Sequence, residues 1–164
     1  MKRGLSLIFV SMLAIAFCLV GTGCSRSDME KGESIVDSVI DEATKLGDYS
    51  VKIESCRRAK DFEGKDVVIV KYLFSNNNDD NSAAFYLSFD DTVYQNGVGL
   101  NESYVLEESA NYDSDAHMKE VKKGSSIEIE RAYELNDTET DIELEVKELF
   151  GTDNKVVKKT FSIK

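Results

Sequence analysis

From Tyr49 onward, apolar and polar residues alternate along the chain with a period of two, which is the pattern of half-buried β-strands. Turn-forming residues separate the alternating segments, and Asn96-Gly97 is the strongest hairpin signal among them. The clearest alternation covers residues 49–56, 127–136, 142–148 and 156–163. This spacing predicts short strands that pair with their neighbours in an antiparallel arrangement.

Further segments complete the set of predicted strands. Asp66–Ser75 is an almost unbroken run of β-branched and aromatic residues, so we expect a central strand with both faces covered. Ala83–Phe89 also alternates and is predicted to be a strand, which Asp90 and Asp91 interrupt. A last short strand leads into the hairpin at 95–98. The result is an all-β, antiparallel sandwich of about seven strands.

The N-terminal residues predict export and lipid attachment. Lys2 and Arg3 precede an uncharged apolar run over residues 5–20, followed by small residues and Cys24. The stretch 19–24 resembles the bacterial lipobox, with Gly21 where Leu is usual. We therefore expect a signal peptide at 1–23, cleavage before Cys24, lipid on the Cys24 thiol and an extracytoplasmic, membrane-anchored protein. An ordinary secretory signal is the alternative.

Residues 24–48 are predicted to be a tether between the anchor and a domain at 49–164. Within it, apolar residues recur at spacings of three, four and seven, which predicts one apolar stripe on a short helix. They are Ile35, Val36, Val39, Ile40, Ala43 and Leu46. Either the tether is helical only part of the time, or the helix packs on the domain or on a partner.

The charge of the chain excludes one class of partner. Acidic residues number 31 against 20 Lys and Arg, which gives a formal net charge of −11. A protein of this sign is repelled by nucleic-acid phosphate, so we expect no nucleic-acid partner. Once Cys18 leaves with the signal and Cys24 is lipidated, Cys56 is the remaining cysteine and has no disulfide partner.

Calcium binding and catalysis find little support in the motifs. Asn111, Asp113 and Asp115 have the spacing that begins a calcium loop, but Ala116 stands where that loop requires Gly. They are candidate metal ligands, with acidic Asx turns as the alternative. His117 is the only histidine and lies in no catalytic motif. We expect a protein without a cofactor that is not an enzyme.

Four tyrosines in and beside the central region, residues 82–120, are candidate binding residues. They are Tyr86, Tyr94, Tyr104 and Tyr112. Tyrosine provides rigid contact area at low entropic cost, which is why binding loops use it. The alternative is that these residues belong to the core or rim of the sandwich.

Several stretches resemble one family of bacterial lipoprotein domains, known as domain of unknown function 5067. The similar segments span roughly residues 48–164, and they are 67–76, 95–98, 112–115, 123–124, 132–137 and 148–150. The resemblance implies an immunoglobulin-like sandwich at the cell surface, mostly of Gram-positive bacteria. It implies no catalytic residues, because none are established for the family.

These observations favour a non-catalytic binding module for another envelope or extracellular component, with a protein as the preferred partner. We expect the contacts to come from loops at 76–82 and 101–120. The alternative is a structural or protective envelope module without a discrete ligand. A weak calcium-binding domain or an enzyme comes third.

Overall fold

Two antiparallel β-sheets pack as a sandwich in the computed structural model, which describes residues 42–164 except 80, 107–110 and 153. The strands are β1 Thr44–Leu46, β2 Tyr49–Lys60, β3 Asp66–Asn76, β4 Phe89–Gln95, β5 Val98–Gly99, β6 Glu102–Ser103, β7 Ser126–Glu134, β8 Ile142–Glu148 and β9 Val156–Phe161. Helix α1 spans Phe85–Ser88, and a 3-10 helix spans Ala116–Met118. No helix in the described ranges is long and apolar enough to cross a bilayer.

The first sheet has the strand order β1-β2-β3-β7-β6, and the second has the order β5-β4-β8-β9. The predicted immunoglobulin-like antiparallel sandwich is confirmed. The described residues contain nine strands rather than about seven, because β1, β5 and β6 have only two or three residues each. Elements that short carry too few residues for a period of two to be visible in the sequence.

The predicted central strand, β3, is covered on both faces. On its inner face, Val68, Val70, Tyr72 and Phe74 belong to the main core between the sheets. On its outer face, a second apolar cluster covers this part of the first sheet. Its buried members are Val67, Ile69, Val105, Tyr112 and Ala132. Burial on both sides explains why β-branched and aromatic residues follow one another along β3 without alternation.

The prediction of a strand over Ala83–Phe89 is wrong, because the chain forms one helical turn there before entering β4. In a helix, Phe85 and Phe89 lie four residues apart on the same side. Both rings enter the core, with their centroids 5.5 Å apart. A strand would have put Leu87 on that buried face too, whereas Leu87 is 56% exposed. The predicted interruption at Asp90 and Asp91 is also wrong, since both residues pair within β4.

The sheet begins before the predicted domain boundary at Tyr49. β1 pairs with β2 across a tight turn at Gly47-Asp48, with Thr44 opposite Val51 and Leu46 opposite Tyr49. Leu46, assigned above to a helical stripe, is a strand residue buried in the main core. Ala43, another residue of that stripe, is exposed and lies outside any helix or strand. The other four, Ile35, Val36, Val39 and Ile40, lie outside the described residues.

The strands of both sheets run between two ends of the sandwich. What we call the α1 end carries α1, the loop at 77–82, the 3-10 helix and the turn that follows β8. The Asp61 end carries the turn at 61–65, the Asn96-Gly97 turn and the loop at 136–141. The two ends expose different side chains, so they are compared separately below.

Candidate functional site

A cavity of about 370 Å³ opens at the α1 end. The loop at 76–82 contributes Asn78, Asn81 and Ser82 to its wall, and the 101–120 segment contributes Met118 and Glu120. The tertiary structure therefore brings together one end of each of the two loops that were expected to make contacts. α1 and the start of β2 close the cavity with Tyr86, Leu87, Ser88 and Tyr49.

The side chain of Asn76 ties these two loops to each other. It is fully buried at the end of β3, and its Nδ2 donates to the carbonyl oxygens of Asn81 at 2.8 Å and Val121 at 2.9 Å. Its Oδ1 accepts the backbone N–H of Asn78 at 2.9 Å. In the sequence Asn76 opens a polar run and suggests an ordinary loop residue. No local signal marked it as buried, because the predicted strand ends at the preceding residue, Ser75.

Two further contacts fix the wall of the cavity. Ala83 and Val121 form an antiparallel bridge through backbone hydrogen bonds of 3.0 and 2.8 Å. Beside it, the Ser82 hydroxyl donates to the Glu120 carboxylate at 2.8 Å. The cavity is therefore built from segments joined by backbone and side-chain hydrogen bonds, which favours a preformed site.

Three exposed side chains give the cavity an apolar rim. Tyr86, Leu87 and Met118 are 44, 56 and 50% exposed. The ring of Tyr86 meets the ring of His117 edge to face, with centroids 6.2 Å apart and an interplanar angle of 85°. This contact packs the His117 ring against Tyr86, which lines the cavity. The only histidine in the chain thus supports a neighbouring tyrosine.

The four candidate tyrosines do not form one surface. Tyr86 lies at the cavity, and Tyr94 is half-buried in β4. Tyr104 is 54% exposed near the Asp61 end, where the adjoining Ser103 hydroxyl donates to the Asp61 carboxylate at 3.3 Å. Of the four, Tyr86 alone lines the cavity.

The prediction that Tyr112 is a surface binding residue is wrong. Tyr112 is only 5% exposed, because its ring packs in the outer apolar cluster against β3 and β7. Burial raises the pKa of Tyr112 to about 12. No local pattern distinguished it from the exposed tyrosines, since it lies in a segment without regular alternation.

The candidate calcium ligands make a local turn and an ion pair. The Asp113 carboxylate accepts the backbone N–H of Asp115 at 3.2 Å and contacts Lys119 Nζ at 2.7 Å, and the Lys119 hydrogen bond is the main cause that lowers the Asp113 pKa. The Asn111 carbonyl accepts from Arg57 at 3.3 Å. Across the described ranges, no group of three His, Cys, Asp or Glu side chains is arranged to hold a metal ion. Cys24 lies outside the described residues, and its lipidation stays a prediction.

A family model matches the sequence of this chain, and several solved structures share its fold. The sequence model of the family described as domain of unknown function 5067 matches residues 25–148. A candidate lipoprotein from Staphylococcus aureus has a similar structure, with a TM-score of 0.54 and 19% identity over 74% of this chain and 92% of its own. A protein from Enterococcus faecalis has a TM-score of 0.56 and 16% identity over 76% of this chain and 91% of its own.

A candidate lipoprotein from Bacillus subtilis is also similar, with a TM-score of 0.55 and 15% identity. The match covers 74% of this chain but 38% of the Bacillus chain, so that protein is much longer than the shared sandwich. The comparison with curated proteins gave no match. At these identities the solved structures establish the shared fold.

Proposed function

The chain belongs to the family described as domain of unknown function 5067, and from this membership and the cavity at the α1 end we propose a function. The protein is a cell-envelope lipoprotein whose sandwich binds another envelope or extracellular component without catalysing a reaction. The cavity at the α1 end, with its rim of Tyr86, Leu87 and Met118, is the binding surface.

The anchor part of the proposal is supported by the N-terminal sequence and by the relatives. Small residues precede Cys24 after an apolar run, which is the arrangement that leads to lipid on a cysteine thiol. Two of the structurally similar proteins are candidate lipoproteins. Two or more acyl chains give stable membrane attachment, so the sandwich would remain at the outer side of the cell membrane.

The binding part rests on one observation. Two loops far apart in sequence meet around a cavity, and three large apolar side chains remain exposed on its rim. Exposed apolar groups collected at one place, rather than scattered, are characteristic of contact surfaces. The Tyr, Asn and Ser side chains of the lining resemble those of binding loops, which favours a protein partner.

Two other functions fit these observations less well. A structural envelope module gains nothing from an apolar rim around a cavity, since exposed apolar side chains add an aggregation risk. An enzyme active site needs at least two cooperating groups, such as a nucleophile and a general base. The lining of this cavity contains one carboxylate, Glu120, which is hydrogen-bonded to Ser82.

The test is crosslinking in living cells with the natively anchored protein. A photoreactive phenylalanine analogue replaces Tyr86 at the cavity, and in a matched control it replaces Tyr104 near the other end. The two positions are similarly exposed, at 44 and 54%. We expect one dominant protein adduct from position 86 and not from position 104. The same adducts from both positions, or none from position 86 in well-expressed protein, would contradict the proposed surface.

The anchor is tested separately with Cys24→Ala. We expect this variant to lack lipid and to leave the membrane fraction or to be processed incorrectly. The measurements are intact mass and fractionation of the cells. A variant that stays in the membrane with an unchanged mass would refute lipid attachment at Cys24.

A further inference from the structure

Among the described residues, Phe150 is the most exposed large apolar side chain, at 85%. It follows Leu149, which is 40% exposed, at the start of the turn after β8 on the α1 end. Gly151 and Thr152 come next, so four consecutive residues at this turn carry no charge. An exposed Phe costs hydration free energy, and nothing in the packing of the sandwich requires it.

The backbone that presents Phe150 is held in place. The Leu149 N–H donates to the Ser88 carbonyl at the end of α1 at 2.9 Å. The Glu148 carboxylate occupies the space that a Cβ atom on Gly47 or Gly151 would need, so both glycines close tightly around it. These contacts fix both sides of the exposed pair, and the carboxylate next to it is folded back onto the domain.

The Asp61 end offers a useful contrast. Phe62 is also exposed, at 60%, and also lies in a turn between strands. Its neighbours are Asp61 and Glu63, and the Asp61 carboxylate accepts the backbone N–H of Glu63 at 2.9 Å. Moving Phe62 into an apolar phase would bring the exposed Glu63 carboxylate with it, whereas the residues on either side of Phe150, Leu149 and Gly151, carry no charge.

We infer that in the anchored protein Leu149 and Phe150 enter the interfacial region of the lipid bilayer, so that the α1 end faces the membrane. The inference rests on the lipid attachment at Cys24 in the proposed function. Apolar and aromatic side chains bind this region in proportion to the apolar area they bury.

The length of the tether makes this contact attainable. The 19 residues between Cys24 and Thr44 span up to roughly 65 Å when extended. The 11 residues of β3, which run the length of the sandwich, span roughly 37 Å. The tether can therefore bring either end to the bilayer, and the side chains at each end decide which one stays. The lipid anchor also keeps the domain close to the bilayer, which raises the effective concentration of the two partners. Two apolar side chains are then enough to keep one end on the membrane, although they would be too few to hold a domain without an anchor.

The orientation limits what the cavity can bind. Ser88 lines the cavity and accepts the hydrogen bond from Leu149, so the cavity and the membrane-contacting turn are adjacent. A partner that reaches the cavity would then be a protein at the membrane surface. Components in the outer layers of the envelope would meet the Asp61 end.

The chain contains no tryptophan, so one introduced tryptophan reports on a single position. Phe150→Trp and, as the matched control, Phe62→Trp are prepared as lipidated full-length protein. Each is bound to vesicles of phosphatidylcholine and phosphatidylglycerol that contain a nitroxide-labelled lipid as quencher. We expect the fluorescence at position 150 to fall to roughly half and to shift to the blue, with little change at position 62.

Cosedimentation with the vesicles, compared with Cys24→Ala, is measured first. Lipidated protein that does not cosediment would overturn the anchor, and the membrane contact with it. Vesicle-bound protein without quenching at position 150 would overturn the contact alone. Stronger quenching at position 62 than at position 150 would mean that the Asp61 end faces the membrane, and it would also overturn the inference. A blue shift at position 150 without quenching would place the introduced tryptophan in a protein contact and would also overturn the membrane contact.

Discussion

A buried ion pair between the two sheets offers the sharpest test of how the sandwich is held together. Asp91 on β4 and Arg131 on β7 have side chains only 3 and 14% exposed, and their charged atoms lie 3.2 Å apart. The Tyr133 hydroxyl also donates to the Asp91 carboxylate. Arg131 makes a second ion pair with Glu102 at 2.8 Å, and the Glu102 side chain is 51% exposed.

Asp91→Leu should destabilise the domain by about 3 kcal/mol. Removing one member of a buried pair costs about 3–5 kcal/mol, because the other charge stays buried without compensation. Arg131 keeps Glu102 as a partner, which places the expected loss at the lower end of that range. Domains of this size have total stabilities of about 5–15 kcal/mol, so the variant should still fold.

The double variant Asp91→Leu/Arg131→Met should recover most of that loss. Burial raises the pKa of the Asp91 carboxyl even though Arg131 acts against it, so removing the carboxylate from water costs more than the ion pair returns. Replacing both charges with apolar side chains of similar size should therefore leave the stability within about 1–2 kcal/mol of the starting protein.

Urea unfolding followed by far-ultraviolet circular dichroism measures all four proteins of this cycle. The expected coupling free energy between the two sites is about 2 kcal/mol or more. The slope of the unfolding free energy against urea concentration should be the same in all four proteins. A double variant as unstable as the sum of the single variants would refute the reasoning. It would mean that Asp91 and Arg131 stabilise the sandwich through separate contacts.

Three further predictions concern turns and loops. Gly47→Ala and Gly64→Ala should each destabilise the domain by about 1–2 kcal/mol in urea unfolding, because both glycines have positive φ. The new Cβ at position 47 would also meet the Glu148 carboxylate, but that flexible side chain can move aside at little cost. A far larger loss at position 47 than at position 64 would contradict this. The buried Gln95 amide makes hydrogen bonds to backbone groups of the loop at 136–140. Gln95→Leu should therefore lower the free energy of unfolding by about 2–4 kcal/mol and speed amide hydrogen exchange in that loop. Unchanged exchange there would contradict this role of Gln95. Backbone N–H groups of the same loop lower the pKa of Asp137. The stability that the ionised Asp137 adds is therefore present above its unfolded pKa of about 3.9 and is lost as the pH falls below that value. Asp137→Asn should flatten the dependence of the unfolding free energy on pH below about pH 4, and an unchanged dependence would exclude this role.

The regular strands were predictable because burial on one face leaves a repeat of two in the sequence. That repeat is present in β2, β7, β8 and β9. In contrast, β3 was recognisable because its apolar residues follow one another without a repeat. α1 was not predictable, since Phe85 and Phe89 lie on one side both in a helix and in a strand. The choice between them depended on Tyr72 and Phe74, which lie on another strand and contact Phe85.

The surface that we propose for binding was partly predictable. The two loops were identified by their composition, and both contribute to the cavity. Tyr112 could not be told from Tyr86, because the difference between them is the outer apolar cluster that covers one and not the other. Asn76 could not be recognised as the link between the loops, because its partners include Val121, which is remote in sequence.

The amino-acid sequence by itself determined the features that depend on nearest neighbours: the apolar leader and Cys24, the longer strands β2, β3, β7, β8 and β9, and the acidic charge. Each of these is set by residues a few positions apart, so it can be recognised without the fold. The tertiary structure alone decided which tyrosines are exposed, where the two loops meet and which turn presents Phe150. These depend on contacts between strands distant in the chain, such as the 2.9 Å hydrogen bond from Leu149 to Ser88. This hydrogen bond continues the pairing of β4 with β8 and forms only when those two strands meet, because no short segment contains both partners.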